Sequence, residues 1–185
     1  MTDQKTFLNA KQMSLTALMT ALICVLAPWS LNLWFTPVPI SLGSMAVYFV
    51  LYVLGMKLGT VSVTLYILLG LIGLPVFTNF GAGAAKLLGP TGGYIVGYLF
   101  LALICGFFLD KFPDVFPLHI AGFILGTLVF YLFGTLWLQF QMNLTFPAAL
   151  MAGVVPYIPG DTLKLIFAIA LGKPLKKRLK KAGLL

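Results

Sequence analysis

Uncharged stretches of roughly twenty residues recur along this chain, separated by short segments that hold most of its prolines and nearly all of its charges. About 20 mostly apolar residues in a helix cross the roughly 30 Å hydrocarbon core of a bilayer. A soluble domain needs roughly 25% charged residues to cover its surface. Here 9% of 185 residues are charged and 61% are hydrophobic, so lipid is the solvent for most of the chain. That length holds about six spans with short connections and no additional soluble domain. The expectation is an all-α integral membrane protein: six transmembrane helices in a single membrane domain over 1–185, with a basic tail over about 173–185.

The breaks place the helices. The first runs from about Gln12 to Leu31 and is followed by a loop in which Pro37 and Pro39 exclude continuous helix. Lys5 and Lys11 ahead of Met13–Leu31 resemble a signal sequence, but the apolar run is too long and no small-x-small cleavage site follows. It is expected to be the first span. The second helix covers about Ser41–Leu54, and a tight turn at Gly55–Gly59 leads into a third that ends near Leu74, before Pro75. Residues 77–93 are the least regular stretch. The fourth helix takes Tyr94–Leu109, a polar turn spans Asp110–Asp114, and the fifth takes Leu118–Gln139. Pro147–Leu171 is interrupted at Pro156, Pro159 and Gly160, which predicts a short capping segment and then a sixth helix from near Pro159. One kinked helix over 148–172 is the alternative.

Six spans put both termini on one side, and the basic residues say which. With the termini inside, Lys5, Lys11, Lys57, Lys111 and six cations from Lys173 to Lys181 are cytoplasmic, ten of the twelve basic residues. Positive charge is retained inside, so the tail anchors the last helix. With no aromatic interleaving in it, nucleic acid is not expected as a partner. The exceptions are Lys86 and Lys164.

Asp161 and Lys164 are three residues apart at the start of the sixth helix, on one face and close enough to pair. Ionisable groups at membrane depth cost several kcal/mol unless they are paired or face a polar cavity, and by default they mark a function. The bland alternative is an interfacial helix start, with Asp161 at the positive end of the helix dipole and Lys164 snorkelling outward. An outward lysine runs against the charge bias, which favours the functional reading. The 77–93 stretch is the second candidate, since irregular backbone at membrane level survives only where protein buries it or a cavity solvates it. Its glycines, Gly83, Gly92 and Gly93 among them, let backbone approach a ligand; Asn79 offers a donor and an acceptor, and Lys86 attracts an anionic group. It can equally be a flexible outer loop with one surface lysine.

Other features exclude more than they assign. No Gly-x4-Gly-Lys-Ser/Thr loop is present, so the chain does not itself hydrolyse nucleotide through a P-loop. One histidine, four acids and scattered serines assemble no nucleophile–base pair or metal cluster, so no enzyme activity is expected. Cys24 and Cys105 sit in apolar runs and read as packing residues, His119 as an interfacial histidine, and Asp110 and Asp114 as a solvated surface. Ala17 and Ala21, four apart, form a small-residue strip on which another helix can pack.

Four segments together resemble the BioY family, the biotin-binding S components of energy-coupling factor (ECF) transporters. They are Pro37-Val-Pro-Ile40, Gly70-Leu-Ile-Gly-Leu-Pro-Val-Phe77, Leu88-Gly-Pro-Thr-Gly-Gly-Tyr94 and Pro159-Gly-Asp-Thr-Leu-Lys164. They occur in family order, and the likeness covers roughly residues 12 to 172. The resemblance implies the S-component fold with a biotin pocket near the outer face, in a bacterial plasma membrane. It implies that Asn79, Asp161 and Lys164 meet the polar groups of biotin, that the loop around Gly83–Gly93 closes over it, and that Phe77, Tyr94, Tyr98 and Tyr157 supply aromatic walls. It also implies that the Ala17/Ala21 strip docks on a transmembrane coupling subunit, which works with an ATPase pair. Biotin is then the ligand, with no cofactor. Ser41-Leu-Gly-Ser44 departs from the family pattern, where many relatives carry threonine and glutamine, and puts a polar pocket contact there in doubt.

Overall fold

The structure is a computed structural model and describes residues 9–185. Lys5, counted above among the inner cations, lies outside the described residues. The first helix, α1 (Ala10–Leu26), opens on a capping box in which Asn9 accepts from the Gln12 N–H. It stops five residues before the expected Leu31, because Pro28, just past the helical Ala27, has no N–H to extend the ladder. The chain then makes a two-residue antiparallel pair, β1 (Ser30–Leu31) with β2 (Ile40–Ser41), so the proline loop between them is a hairpin.

The second helix, α2 (Gly43–Leu71), is one hydrogen-bonded run broken at Gly55, whose φ is +75°. Eight residues of straight helix span about 12 Å, yet a Cβ at Gly59 would lie 2.8 Å from Leu51 Cδ2. The chain therefore reverses at a single residue, rather than over the five expected. Only glycine takes this backbone without penalty, and a Cβ at Gly55 would have to displace the Asp110 carboxylate, whose Oδ1 would lie 2.2 Å away. That carboxylate accepts from the Met56 N–H at 2.9 Å, at the positive end of the second half-helix. Asp110, expected as mere surface, is a capping group supplied by another element.

The 77–93 stretch is more ordered than expected. It holds a 3-10 turn over Thr78–Phe80 and a short helix, α3 (Gly83–Leu87). Then follow α4 (Gly92–Lys111), α5 (Phe116–Met142) and a short α6 (Phe146–Gly153). A 3-10 turn at Val155–Tyr157 leads into α7 (Ile158–Lys181). The expected break before Pro159 is present. However, α7 continues through Pro174 to Lys181, so the basic segment is helical rather than a tail hung from Leu171.

Helices α4 and α5 pack through glycines placed opposite bulky partners. A Cβ at Gly93 would strike Trp137, at Gly97 Phe130, at Gly126 Cys105 and at Gly134 Tyr94. In lipid there is little hydrophobic drive between helices, so close backbone approach at small residues holds them together. Among the described residues, four stretches are long and apolar enough to cross a membrane: α2, α4, α5 and Phe146–Lys181, which contains α6 and α7; α1 is a shorter apolar helix.

Candidate functional site

One end of the bundle holds a cavity, floored by α7 and walled by α2, α4 and α5. Its non-atom space, open mouth included, is about 590 Å³, of which about 60 Å³ admits the centre of a water molecule. The smaller figure lies well below the roughly 300–1,000 Å³ of open small-molecule sites, so the space is a narrow slot. Aromatic rings line it. Tyr98 stacks on Phe130 at 5.1 Å and 9°, and Tyr94 meets Phe130 edge-on at 5.6 Å. Tyr66, Tyr131 and Tyr157 complete the walls.

The polar end is built on the first turn of α7. Lys164 Nζ donates to Asp161 Oδ1 at 2.8 Å, and both side chains are nearly buried. Ser44 Oγ joins the pair, donating to Asp161 Oδ1 and accepting from Lys164 Nζ, each at 3.1 Å. Tyr131 donates to the other carboxylate oxygen, Oδ2, at 2.7 Å. The helix places Asp161 and Lys164 one turn apart, while Ser44 and Tyr131 come from α2 and α5. A buried ion pair persists where further hydrogen bonds satisfy its remaining lone pairs and protons, and both serine and tyrosine do that here. The result is a carboxylate and an ammonium facing an aromatic slot.

The rim is cross-stitched. The Tyr157 hydroxyl donates to the Val38 carbonyl and, at 3.2 Å, to Thr36 Oγ1, which donates to the Ala152 carbonyl at 2.5 Å. These bonds pin the β1–β2 hairpin to the junction of α6 and α7. Opposite, Trp137 and Gln141 of α5 donate to the Gly89 and Leu88 carbonyls at 2.9 and 2.7 Å. They hold the Gly89–Thr91 turn, so that Thr91 borders the slot.

Of the residues singled out in the sequence, Asp161, Lys164, Tyr94, Tyr98 and Tyr157 line this one cavity. The others lie elsewhere. Asn79 is exposed, with φ +58°; its Nδ2 donates to Asn32 and its Oδ1 accepts from Ser30, both at 2.8 Å. Its neighbour Thr78 borders the slot instead. Phe77 is fully buried against Tyr66 and Gly70. Gly92 packs on the Leu87 carbonyl and Gly93 on Trp137, while Gly83 takes a positive φ in open space. Lys86 lies over Gly81, half-buried, and that burial lowers its pKa from the ordinary lysine value. Ala17 and Ala21 are exposed on α1, whose buried residues Leu15, Met19 and Ile23 face the core.

Sequence reasoning missed Tyr131, Tyr66 and Phe130, which lie inside uniformly apolar runs and carry no local signal. Ser44, where a departure from the family pattern raised doubt, lines the cavity and bonds Asp161 and Lys164.

Residues 1–181 match the model of the BioY family. The chain belongs to the BioY family. Among BioY relatives, a protein named Biotin transporter BioY from Thermotoga maritima is 38% identical over 90% of this chain and 96% of its own length. Another of that name from Lactococcus lactis is 37% identical over 92% and 93%. A solved structure described as the S-component for biotin from an ECF-type ABC transporter superposes with a TM-score of 0.84 at 36% identity, covering 96% of this chain and 95% of that one. The BioY family match, with the apolar helices above, makes this a multi-pass membrane protein.

Proposed function

We infer that this chain is the biotin-binding, substrate-capture subunit of an ECF-type vitamin uptake transporter in a bacterial plasma membrane. The observation that carries the reading is the Asp161–Lys164 pair, held by Ser44 and Tyr131 at the end of an aromatic slot. Biotin has a ureido ring with two N–H donors and one carbonyl, on an apolar bicycle and chain. A carboxylate suits the N–H groups, an ammonium suits an oxygen, and stacked rings suit the flat apolar body. In this reading Lys164 pairs with Asp161 and donates to a ligand oxygen, biotin is cargo, and no resident cofactor is called for.

The chain crosses the membrane six times in this reading, because α2 contributes two antiparallel halves beside α1, α4, α5 and α7. Both termini are cytoplasmic, which suits Gln12, Lys57, Lys180 and Leu185 bordering one cavity at the end away from the slot. Without a P-loop, uphill uptake needs partners: a transmembrane coupling subunit, docked on the face of α1 carrying Ala17 and Ala21, and an ATPase pair.

The test is binding of biotin to the purified protein in detergent, beside thiamine and riboflavin. Biotin alone should bind, and Asp161→Asn and Lys164→Ala should each weaken it by at least about 3 kcal/mol, because either change strands a buried partner. Binding of another vitamin would keep the fold and discard the cargo. A Lys164→Ala protein within twofold of the parent would overturn the assignment of the pair. Uptake by cells lacking the coupling subunits would favour a facilitator working alone.

A further inference from the structure

At the end of the bundle away from the slot, a cleft opens between α7, the start of α5 and the Gly55 end of α2, with about 360 Å³ open to water. Four lysines of α7, Lys173, Lys176, Lys177 and Lys180, border it, against one carboxylate, Asp114. None of the four has a carboxylate within ion-pair distance among the described residues. Two are held by rings instead: Lys173 Nζ lies 5.0 Å from the Phe116 centroid, and Lys176 Nζ lies 5.9 Å from that of Tyr52. A cation over a ring face is positioned without spending its N–H donors on another anion.

His119 borders the same cleft, is 8% exposed, and has a buried Nδ1 with no partner among the described residues. Its Nε2 contacts the Phe112 carbonyl at 2.8 Å and so carries the proton. Nδ1 is sealed from the cleft, with the ring in edge contact with Tyr52 and Phe116, so His119 shapes the wall rather than meeting a ligand. The cleft also meets exposed apolar surface, with Val115 and Phe116 about two-fifths exposed. Cations beside an adjoining apolar edge describe the surroundings of a lipid headgroup. Basic pockets between membrane helices bind such groups.

We propose that this cleft binds the phosphate of an anionic glycerophospholipid, with the α7 lysines on the phosphate. The site is separate from the slot, and it rests on the membrane reading but not on the identity of the cargo. The probes are short-chain phosphatidylglycerol, phosphatidylcholine and inorganic phosphate, added to the purified delipidated full chain and followed by native mass spectrometry. Phosphatidylglycerol should bind in preference to phosphatidylcholine. Lys173→Gln with Lys177→Gln should weaken it at least about tenfold. Arg178→Gln with Lys181→Gln removes the same charge from outside the cleft and should change it less than about threefold.

Equal losses in the two double variants would mean diffuse attraction and overturn the site. Inorganic phosphate competing at matched concentration would make a soluble anion, not a lipid, the ligand. Unchanged lipid binding with lost assembly onto the coupling subunit would make the face a protein interface. Biotin binding, measured on the same variants, should stay within twofold, which separates failure of this proposal from failure of the cargo reading.

Discussion

Asp161 and Lys164 lie one helical turn apart, and each of their partners has a different share in keeping them buried. Ser44 touches the carboxylate oxygen that Lys164 already neutralises, whereas Tyr131 is the donor to Oδ2. A hydrogen bond to a charged group contributes about 1.5–3 kcal/mol, more than one between neutral groups. Tyr131→Phe should therefore destabilise the ligand-free protein by about 1.5–3 kcal/mol, and Ser44→Ala by about half that or less. Thermal unfolding in detergent checks the order, and equal effects would mean that Oδ2 finds water or another donor. The pair itself was legible because an i,i+3 spacing is local. Its two supports were not, because they come from 117 and 30 residues away.

Among the elements, glycines set how the helices meet. At Gly134 an added Cβ would fall 2.3 Å from the Tyr94 ring, which also walls the slot. Overpacking costs about 1–3 kcal/mol, so Gly134→Ala should lower stability by that amount and weaken ligand binding together, as thermal unfolding and equilibrium binding would report. Gly55→Ala should cost more than the roughly 1 kcal/mol of an ordinary positive-φ glycine, because its methyl also meets the Asp110 carboxylate. Asp110→Ala beside it should recover part of that loss by removing the collision, though it also removes the acceptor for Met56 N–H. The breaks at Pro37, Pro75 and Pro159 were readable because proline forbids specific backbone. The single-residue reversal at Gly55 was not, since a glycine between two apolar runs fits a long turn equally well.

For the molecule as a whole, the basic end of the bundle and the slot lie at opposite ends, so if positive residues stay inside the slot should face outward. In a Cys24→Ala, Cys105→Ala background, single cysteines at Lys111 and Lys181 should react with an impermeant thiol reagent only in inverted vesicles. One at Lys86 should react only from outside. The reverse pattern would invert the orientation and leave the site chemistry untouched.

Composition and run length determined that the chain lives in lipid, because 9% charge cannot cover a soluble surface. Local spacing determined that α7 presents an ion pair, because a helix brings i and i+3 together whatever surrounds it. Four motifs in order pointed to the family. Only the tertiary structure decided that Tyr131 and Ser44 complete the pair, that the rings of α4 and α5 form a slot above it, and that Asn79 is bonded to Ser30 and Asn32 at the rim. Contacts between distant segments depend on how helices pack, and packing in lipid turns on where small residues allow backbones to approach. A uniformly apolar run does not reveal which of its faces will be the one that meets a neighbour.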